Sequence, residues 1–393
     1  MKIGLFAENY YPYICGINPI LRTLLHRLKD AGHEVTLVTY DVRRLYEANK
    51  DNPQIKMIRG SKLPRFITEN MCTTIILNKK KALKQLDNVH FDIIHIHGEF
   101  SMAKLGVMYA KKHHVPIVYT WHSLWKDIMF KTAWLPGYLA SLYVEHQNIK
   151  YIIKNCEAYT VPSNKVYQRA MQVIKVRKEP ILLPSGIQEE PFLIRDEDKI
   201  ETIKYQYRIN NRKVILFLGR ISREKRALTI IRYMKKKLQQ DHSLVVMMVG
   251  TGMYAHHIEK WAKRHHLVDS IIFTGPVLNK DTASYYQLAD VFVSGSKMET
   301  QGLTYIEAMA SKTIVLAQKD PVLKGVIEDG KNGFVYDGKK QFLEKLDLAL
   351  NSPNEEMREL AREKALDYSS KLYLEKLQKI YSLAIDSYKA KNQ

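Results

Sequence analysis

Cysteine is scarce in this chain, and the three that occur, Cys15, Cys72 and Cys156, have neither metal-ligand nor redox spacing. Their odd number argues against a disulfide framework, so a reducing cytoplasm is the expected compartment. No run of about 18 or more apolar residues occurs, which excludes a membrane-spanning helix. The apolar start Ile3 to Ala7 is one short strand's length and is stopped by Glu8, so it does not read as a secretory signal. Acidic residues are also in short supply: 41 Asp and Glu against 61 Lys and Arg leave a net charge of +20. That imbalance admits an anionic membrane, a nucleic acid or a plain basic surface. Nucleic acid is not the expected partner, because no recognition helix or RNA-binding motif accompanies the charge. What the chain does have is a 46% hydrophobic, 26% charged balance over 393 residues, enough for two ordinary globular domains.

The chain opens as β-loop-α-β. Met1 to Phe6 reads as a strand, Tyr10 to Ile20 as a loop punctuated by Pro12, Gly16 and Pro19, and Leu21 onward as a helix ending near Gly32. Val35 to Val38 is the next strand, so the unit implies parallel strands with Gly16 at the ligand-binding edge; a tight turn explains a lone glycine there equally. After the strand Ile55 to Ile58, the stretch 59–84 mixes seven basic residues with Leu63, Phe66, Ile67, Met71, Ile75, Ile76 and Leu77. It suits the headgroup region of an anionic bilayer, or an ordinary surface helix with a core face. Between residues 51 and 178, 20 basic residues stand against 8 acidic ones, whereas residues 1–50 carry 7 against 5.

Phe91 to His97 is a strand, a helix runs from about Met102 to His113, and the strand Val115 to Tyr119 leads to Thr120-Trp121-His122. His95, His97 and His122 lack a Cys or carboxylate at ligand spacing, which argues against a metal site. His122 stands at a strand end and is the one kept as a candidate. Trp125, Phe130, Trp134, Leu135 and Tyr138, with Lys126 and Lys131, form an aromatic patch for an apolar acceptor, a bilayer, or core packing. Helix-type residues from about Tyr143 to Asn155 precede the strands Ala158 to Val161 and Ile181 to Leu183. The segment Pro184-Ser185-Gly186-Ile187 then opens a charged stretch that marks a domain boundary, giving domains of 1–186 and 187–365 and a C-terminal helix over 366–393.

The second half repeats the grammar. Val214 to Leu218 ends in Gly219-Arg220, with Lys225 just beyond; Val245 to Val249 ends in Gly250-Thr251-Gly252; Ile271 to Phe273, Val291 to Val293 and Ile314 to Leu316 follow. Five strands with helices between them read as a second doubly wound domain, helical to its end after Gly333. Arg220 and Lys225 are placed to hold an anion at a strand's carboxyl edge, unless they are merely solvated. In the segment Ser294 to Ala310, seven residues separate Glu299 from Glu307, with Gly302 between them. The element is strand, loop, helix. The N–H groups of Gly302, Leu303 and Thr304 would lie at the helix start, facing an anion such as a diphosphate, while Glu307 reaches hydroxyls of a nucleoside and Glu299 a second hydroxylated group. Thr304 and Glu307 also fit a capping box that needs no ligand.

Taken in order, Gly16, the segment at His122, PSGI at Pro184 to Ile187, GRISREK at Gly219 to Lys225, GTG at Gly250 to Gly252 and ETQGLTYIEAMA at Glu299 to Ala310 resemble the retaining glycosyltransferases of family 4, the E-x7-E type with the GT-B fold. That fold implies two Rossmann-like doubly wound domains facing a cleft. Within the family, ETQGLTYIEAMA and the EFS after FDIIHIHG look most like bacterial 1,2-diacylglycerol 3-glucosyltransferases; Cys15, Asn18, Pro19 and WHSLWKD depart from the pattern, all in the acceptor half. The resemblance implies that Arg220 and Lys225 bind the donor diphosphate beside the Gly302, Leu303 and Thr304 amides, with Gly16, Gly219, Gly250 and Gly252 also at the donor. It implies that Glu307 binds the ribose, Glu299 the transferred sugar, and His122 the sugar's 6-hydroxyl side or its developing charge. No cofactor or metal is then required beyond a nucleotide sugar such as UDP-glucose. The expected partners are a lipid acceptor and, through 59–84, an anionic membrane, with the protein peripheral on the inner face of the cell membrane. Rival readings keep the fold and change the acceptor to a polysaccharide, a polyprenyl-linked sugar or a protein, turn to a phosphorylase-like reaction, or reduce the chain to a non-catalytic sugar binder.

Overall fold

The computed structural model describes residues 1–12, 15–41, 43–59, 61–62, 74–125, 139–174 and 178–392. The chain divides into two compact units, Met1–Gly186 joined by Ser370–Gln393, and Ile187–Ser369. In the first, β1 (Lys2–Phe6), β2 (Glu34–Asp41), β3 (Ile55–Arg59), β4 (Ile93–Ile96), β5 (Ile117–Thr120), β6 (Ala158–Val161) and β7 (Ile181–Leu182) form an all-parallel sheet in the order β3-β2-β1-β4-β5-β6-β7. In the second, β8 (Lys213–Leu218), β9 (Leu244–Val249), β10 (Ile271–Gly275), β11 (Val291–Ser294), β12 (Ile314–Gln318) and β13 (Phe334–Tyr336) are also all parallel, ordered β10-β9-β8-β11-β12-β13.

Near-continuous apolar runs such as LVVMMV in β9, buried at every residue, are what a parallel strand covered on both faces requires. The second sheet accordingly carries a separate apolar core on each face. Each sheet reverses its winding beside its first strand, between β1 and β4 and between β8 and β11. Open α/β sheets leave a crevice for ligands at the carboxyl ends of such strands.

Two sequence expectations are revised. Pro19 does not sit in a loop: helix α1 (Asn18–Asp30) starts before it, and proline is tolerated in a first turn whose N–H has no intrahelical acceptor. The chain is not purely helical after Gly333, because β13 intervenes as the sheet's edge. At three residues, Phe334 to Tyr336, it is too short for periodicity to show. The terminal helix α5 (Ser370–Asn392) returns to the first unit and packs against α1 and β5. Its buried Tyr373, Leu377, Ile380, Tyr381 and Ala384 lie on one helical stripe, and Arg27 Nε donates to Ser370 Oγ at 2.9 Å. Residues 60 and 63–73 of the basic stretch 59–84, and 126–138 of the aromatic patch, lie outside the described residues. Trp125 itself is buried, edge-on to Phe100 at 5.1 Å between ring centres. Among the described residues no helix is long and apolar enough to cross a membrane.

Candidate active site

In the second unit the crevice is built from three short loops. After β8 the chain passes Gly219 and Arg220 into one 3-10 turn, Arg223–Lys225, before helix α3 (Ala227–Gln240). After β11 it runs through Ser294 to Gln301 into helix α4 (Leu303–Ala310). Because β8 and β11 are neighbours, residues 74 positions apart meet: the Lys225 ammonium donates to the Glu299 carboxylate in a half-buried ion pair. Arg220 is paired too, its guanidinium 3.0 Å from Glu224, which also accepts from Ser222 Oγ at 2.5 Å. Both candidate cations are therefore held at the crevice by carboxylates that can exchange for a more highly charged anion.

Helix α4 begins at Gly302, whose φ of 80° is left-handed, and a Cβ there would come within 2.4 Å of the Tyr305 ring. Only glycine fits both demands. Leu303 and Thr304 fill the first turn, where N–H groups lack intrahelical acceptors and the helix dipole is positive. No side chain caps this end, so the Thr304/Glu307 capping box is not formed. Glu307 instead accepts from Tyr286 Oη at 2.9 Å, and burial raises its pKa to about 7. The loop before α4 is held from beneath: Ser294 Oγ meets Tyr305 Oη at 3.0 Å, and Tyr336 Oη donates to the Ser294 carbonyl at 3.2 Å.

Gly250 and Gly252 have a packing role that their position in the sequence does not reveal. A Cβ at Gly250 would lie 2.0 Å from the Gly219 carbonyl oxygen, and one at Gly252 would lie 2.1 Å from that of Ile221. The two loops thus touch backbone to backbone, stitched by Ile221 N–H to the Thr251 carbonyl at 2.9 Å. Gly16, in the first unit, meets nothing within 4 Å of where its Cβ would be, so packing does not call for glycine there.

The first unit gathers groups at the matching crevice. His122, two residues past β5, places Nε2 3.0 Å from His97 Nδ1, and burial lowers its pKa to about 3, leaving it neutral. His95 lies beneath, its nitrogens 2.8 Å from Tyr381 Oη of α5 and 2.7 Å from Thr120 Oγ1. These partners occupy both nitrogens of His95. Among the described residues no group of three or more His, Cys, Asp or Glu is arranged to hold a metal.

Beside the histidines sits a carboxylate pair that no sequence motif marks. Glu8, just after β1, accepts from the Phe100 and Ala103 N–H groups at 2.9 and 3.4 Å, at the start of helix α2 (Ser101–His113). Its carboxyl occupies the space a side chain at residue 98 would need, which accounts for Gly98. Glu99 is buried nearby, and burial followed by the Glu8 charge pushes its pKa up to about 8. The readable signal was positional: both follow the carboxyl ends of the two strands that flank the winding reversal.

Residues 199–367 match the family described as Glycosyl transferases group 1, and residues 14–190 match Glycosyltransferase Family 4. Alpha-monoglucosyldiacylglycerol synthase of Streptococcus pneumoniae is 31% identical over 349 residues, covering 86% of this chain and 76% of that protein. The protein of the same name from Acholeplasma laidlawii is 29% identical over 354 residues, covering 88% of this chain and 87% of its own. Among solved structures, Anabaena HepE in complex with UDP and glucose superposes with a TM-score of 0.77 at 14% identity, covering 97% of this chain and 99% of that one, a likeness of fold.

Proposed function

Since the chain belongs to the group 1 glycosyltransferases with a family 4 N-terminal half, we propose that it moves a glucosyl residue from UDP-glucose to diacylglycerol at a membrane surface, with retention of configuration. The observation that carries the donor half of this reading is the Lys225–Glu299 pair, set between β8 and β11 and beside the uncapped start of α4. A diphosphate entering there meets Lys225, Arg220 and the Leu303 and Thr304 amides. These groups stabilise the charge that grows on departing UDP, and because they are already oriented they need little reorganisation as it develops. Glu299, released from Lys225, is then available to hydroxyls of the transferred sugar. Glu307, with one oxygen on Tyr286, offers the other to the ribose.

His122 is neutral and has Nε2 engaged with His97, which leaves Nδ1 for the sugar. In a retaining reaction without a covalent intermediate the acceptor hydroxyl attacks on the face the diphosphate leaves, its proton passing to a phosphate oxygen. The glycosidic C–O bond to UDP breaks as the bond to the acceptor oxygen forms. Support for retention comes from the names of the relatives, which specify an α-glucoside, the configuration UDP-glucose itself has. Support for a diacylglycerol acceptor comes from the same names.

The deciding assay is transfer of labelled glucose from UDP-glucose to diacylglycerol in liposomes with and without anionic lipid, followed by anomeric analysis. The expected product is an α-glucolipid, and Lys225→Ala is expected to lower kcat by about a hundredfold, the usual effect of removing one oriented electrostatic group. Inversion would remove the mechanism. Label appearing only on glycans or protein would keep the fold and change the acceptor.

A further inference from the structure

Two neutral imidazoles that meet nitrogen to nitrogen must settle which of them gives the proton, and His97 and His122 meet in that way. Nδ1 of the first and Nε2 of the second are 3.0 Å apart, with ring centres 5.3 Å apart and planes inclined by 19°. At those separations the nitrogens face each other along the line joining the rings. The contact is therefore an in-plane N–H···N hydrogen bond and not face stacking. Burial keeps both rings uncharged: it holds His97 well below its ordinary pKa, with His95 and His122 adding to the effect, and His122 at about 3. One proton lies between the two nitrogens, because each neutral ring carries a single N–H.

Two arrangements satisfy that condition. In one, His97 Nδ1–H donates to His122 Nε2, so the N–H of His122 is on Nδ1 and Nε2 of His97 is bare. In the other, His122 Nε2–H donates, Nδ1 of His122 is bare and the N–H of His97 moves to its Nε2. The far nitrogen of His97 decides between them. His97 is 3% exposed, and its Nε2 is buried with no hydrogen-bond partner. The second arrangement would leave an orphaned N–H there, whereas the first leaves only a lone pair, which protein interiors tolerate more readily. No hydroxyl takes part in this bond and turns to suit either state. His95 beneath differs, since Tyr381 Oη and Thr120 Oγ1 can each give or take a proton towards it. Fixed at both nitrogens, His95 packs on the His97 ring with centres 3.9 Å apart and holds it in place.

We propose that His97 is a positioning residue that fixes the tautomer of His122, so that His122 presents Nδ1–H to the transferred sugar as a hydrogen-bond donor and not as a base. The other nitrogen of His122 is occupied by His97, which leaves no free lone pair to take the proton of the acceptor hydroxyl. The role towards the sugar rests on the proposed glucosyl transfer; the tautomer itself does not.

Proton–nitrogen correlation spectra of the full chain, labelled with ¹⁵N at histidine and free of substrate, read the tautomer directly, because a protonated ring nitrogen and a bare one resonate far apart. Loss of signals in His97→Asn and His122→Asn assigns them. The expected pattern is a proton on His122 Nδ1 and a bare His97 Nε2. A bare His122 Nδ1, or a His122 protonated at both nitrogens, overturns the proposal. Glucosyl transfer by two variants of equal size gives a second reading. An asparagine amide at position 97 can donate to His122 Nε2 as the imidazole does, whereas an aspartate carboxylate only accepts and turns His122 to its other tautomer. His97→Asn is expected to exceed His97→Asp in kcat by about thirtyfold. Equal losses in the two variants would mean that His97 only fills space, and would overturn the proposal. The expected tautomer in a wild type that transfers no glucose refutes the proposed reaction alone, and transfer with a bare His122 Nδ1 refutes the role of His97 alone.

Discussion

Glu99 is the residue whose protonation most clearly sets a stability trend. Its folded-state pKa of about 8 lies above the ordinary carboxyl value, so the folded chain holds a proton that the unfolded chain has lost. Stability from this group is therefore full below about pH 4.5 and falls as pH rises towards 8, the reverse of a salt-bridged carboxylate. Glu307, raised to about 7 by burial, has the same sign over a narrower window. Replacing Glu99 with Gln keeps the neutral shape and removes the titration. The difference in Tm between Glu99→Gln and wild type is expected to be small at pH 5 and to grow in the variant's favour up to pH 9. Thermal melts across that range check it, and a difference that stays constant would mean that folded Glu99 is already ionised at pH 5. None of this was visible as a motif, since Glu8 and Glu99 are far apart in the chain and meet only because β1 and β4 are neighbours. Glu299 and Glu307, by contrast, sit eight residues apart on one continuous strand-loop-helix element, so their common placement was readable.

At the scale of elements, the entry into α4 depends on a single conformation. Gly302→Ala forces a side chain into a left-handed backbone and against the Tyr305 ring, which itself holds the Ser294 end of the loop. The substitution is expected to cost at least about 2 kcal/mol of stability. Urea denaturation of the full chain reads this out, and an unchanged midpoint would show that the loop relaxes freely around the new methyl group. The glycine was legible because strand, polar turn and helix follow one another within 20 residues. The role of Gly250 and Gly252 was not, because the surface they approach belongs to another loop, at Gly219 to Ile221, and backbone contact between two loops leaves no periodic trace. The short edge strand β13 escaped for a related reason: three residues carry too few positions to distinguish a period of two from chance.

At the scale of the molecule, the terminal helix makes the first unit from two separate pieces of chain. Tyr381 reaches His95 at 2.8 Å, Gln378 reaches His33 at 2.8 Å, and the stripe from Tyr373 to Ala384 is buried against that unit. A chain ending at Ser369 is expected to lose protection in the first unit while Ile187–Ser369 keeps its own. Hydrogen exchange followed peptide by peptide checks this, and equal loss in both units would contradict the assignment of α5 to the first. The sequence by itself determined the number and order of most strands, the doubly wound class, the strand-loop-helix element carrying Glu299, Gly302 and Glu307, and the family. All of these are written in short-range patterns of apolar spacing and turn residues. Only the tertiary structure decided that Lys225 pairs with Glu299 and that His122 rests on His97 above a histidine tied to the last helix. Those meetings follow from which strands are neighbours and where the last helix returns. Sheet order and helix docking are set by how whole apolar faces are buried together, which no local stretch of residues specifies.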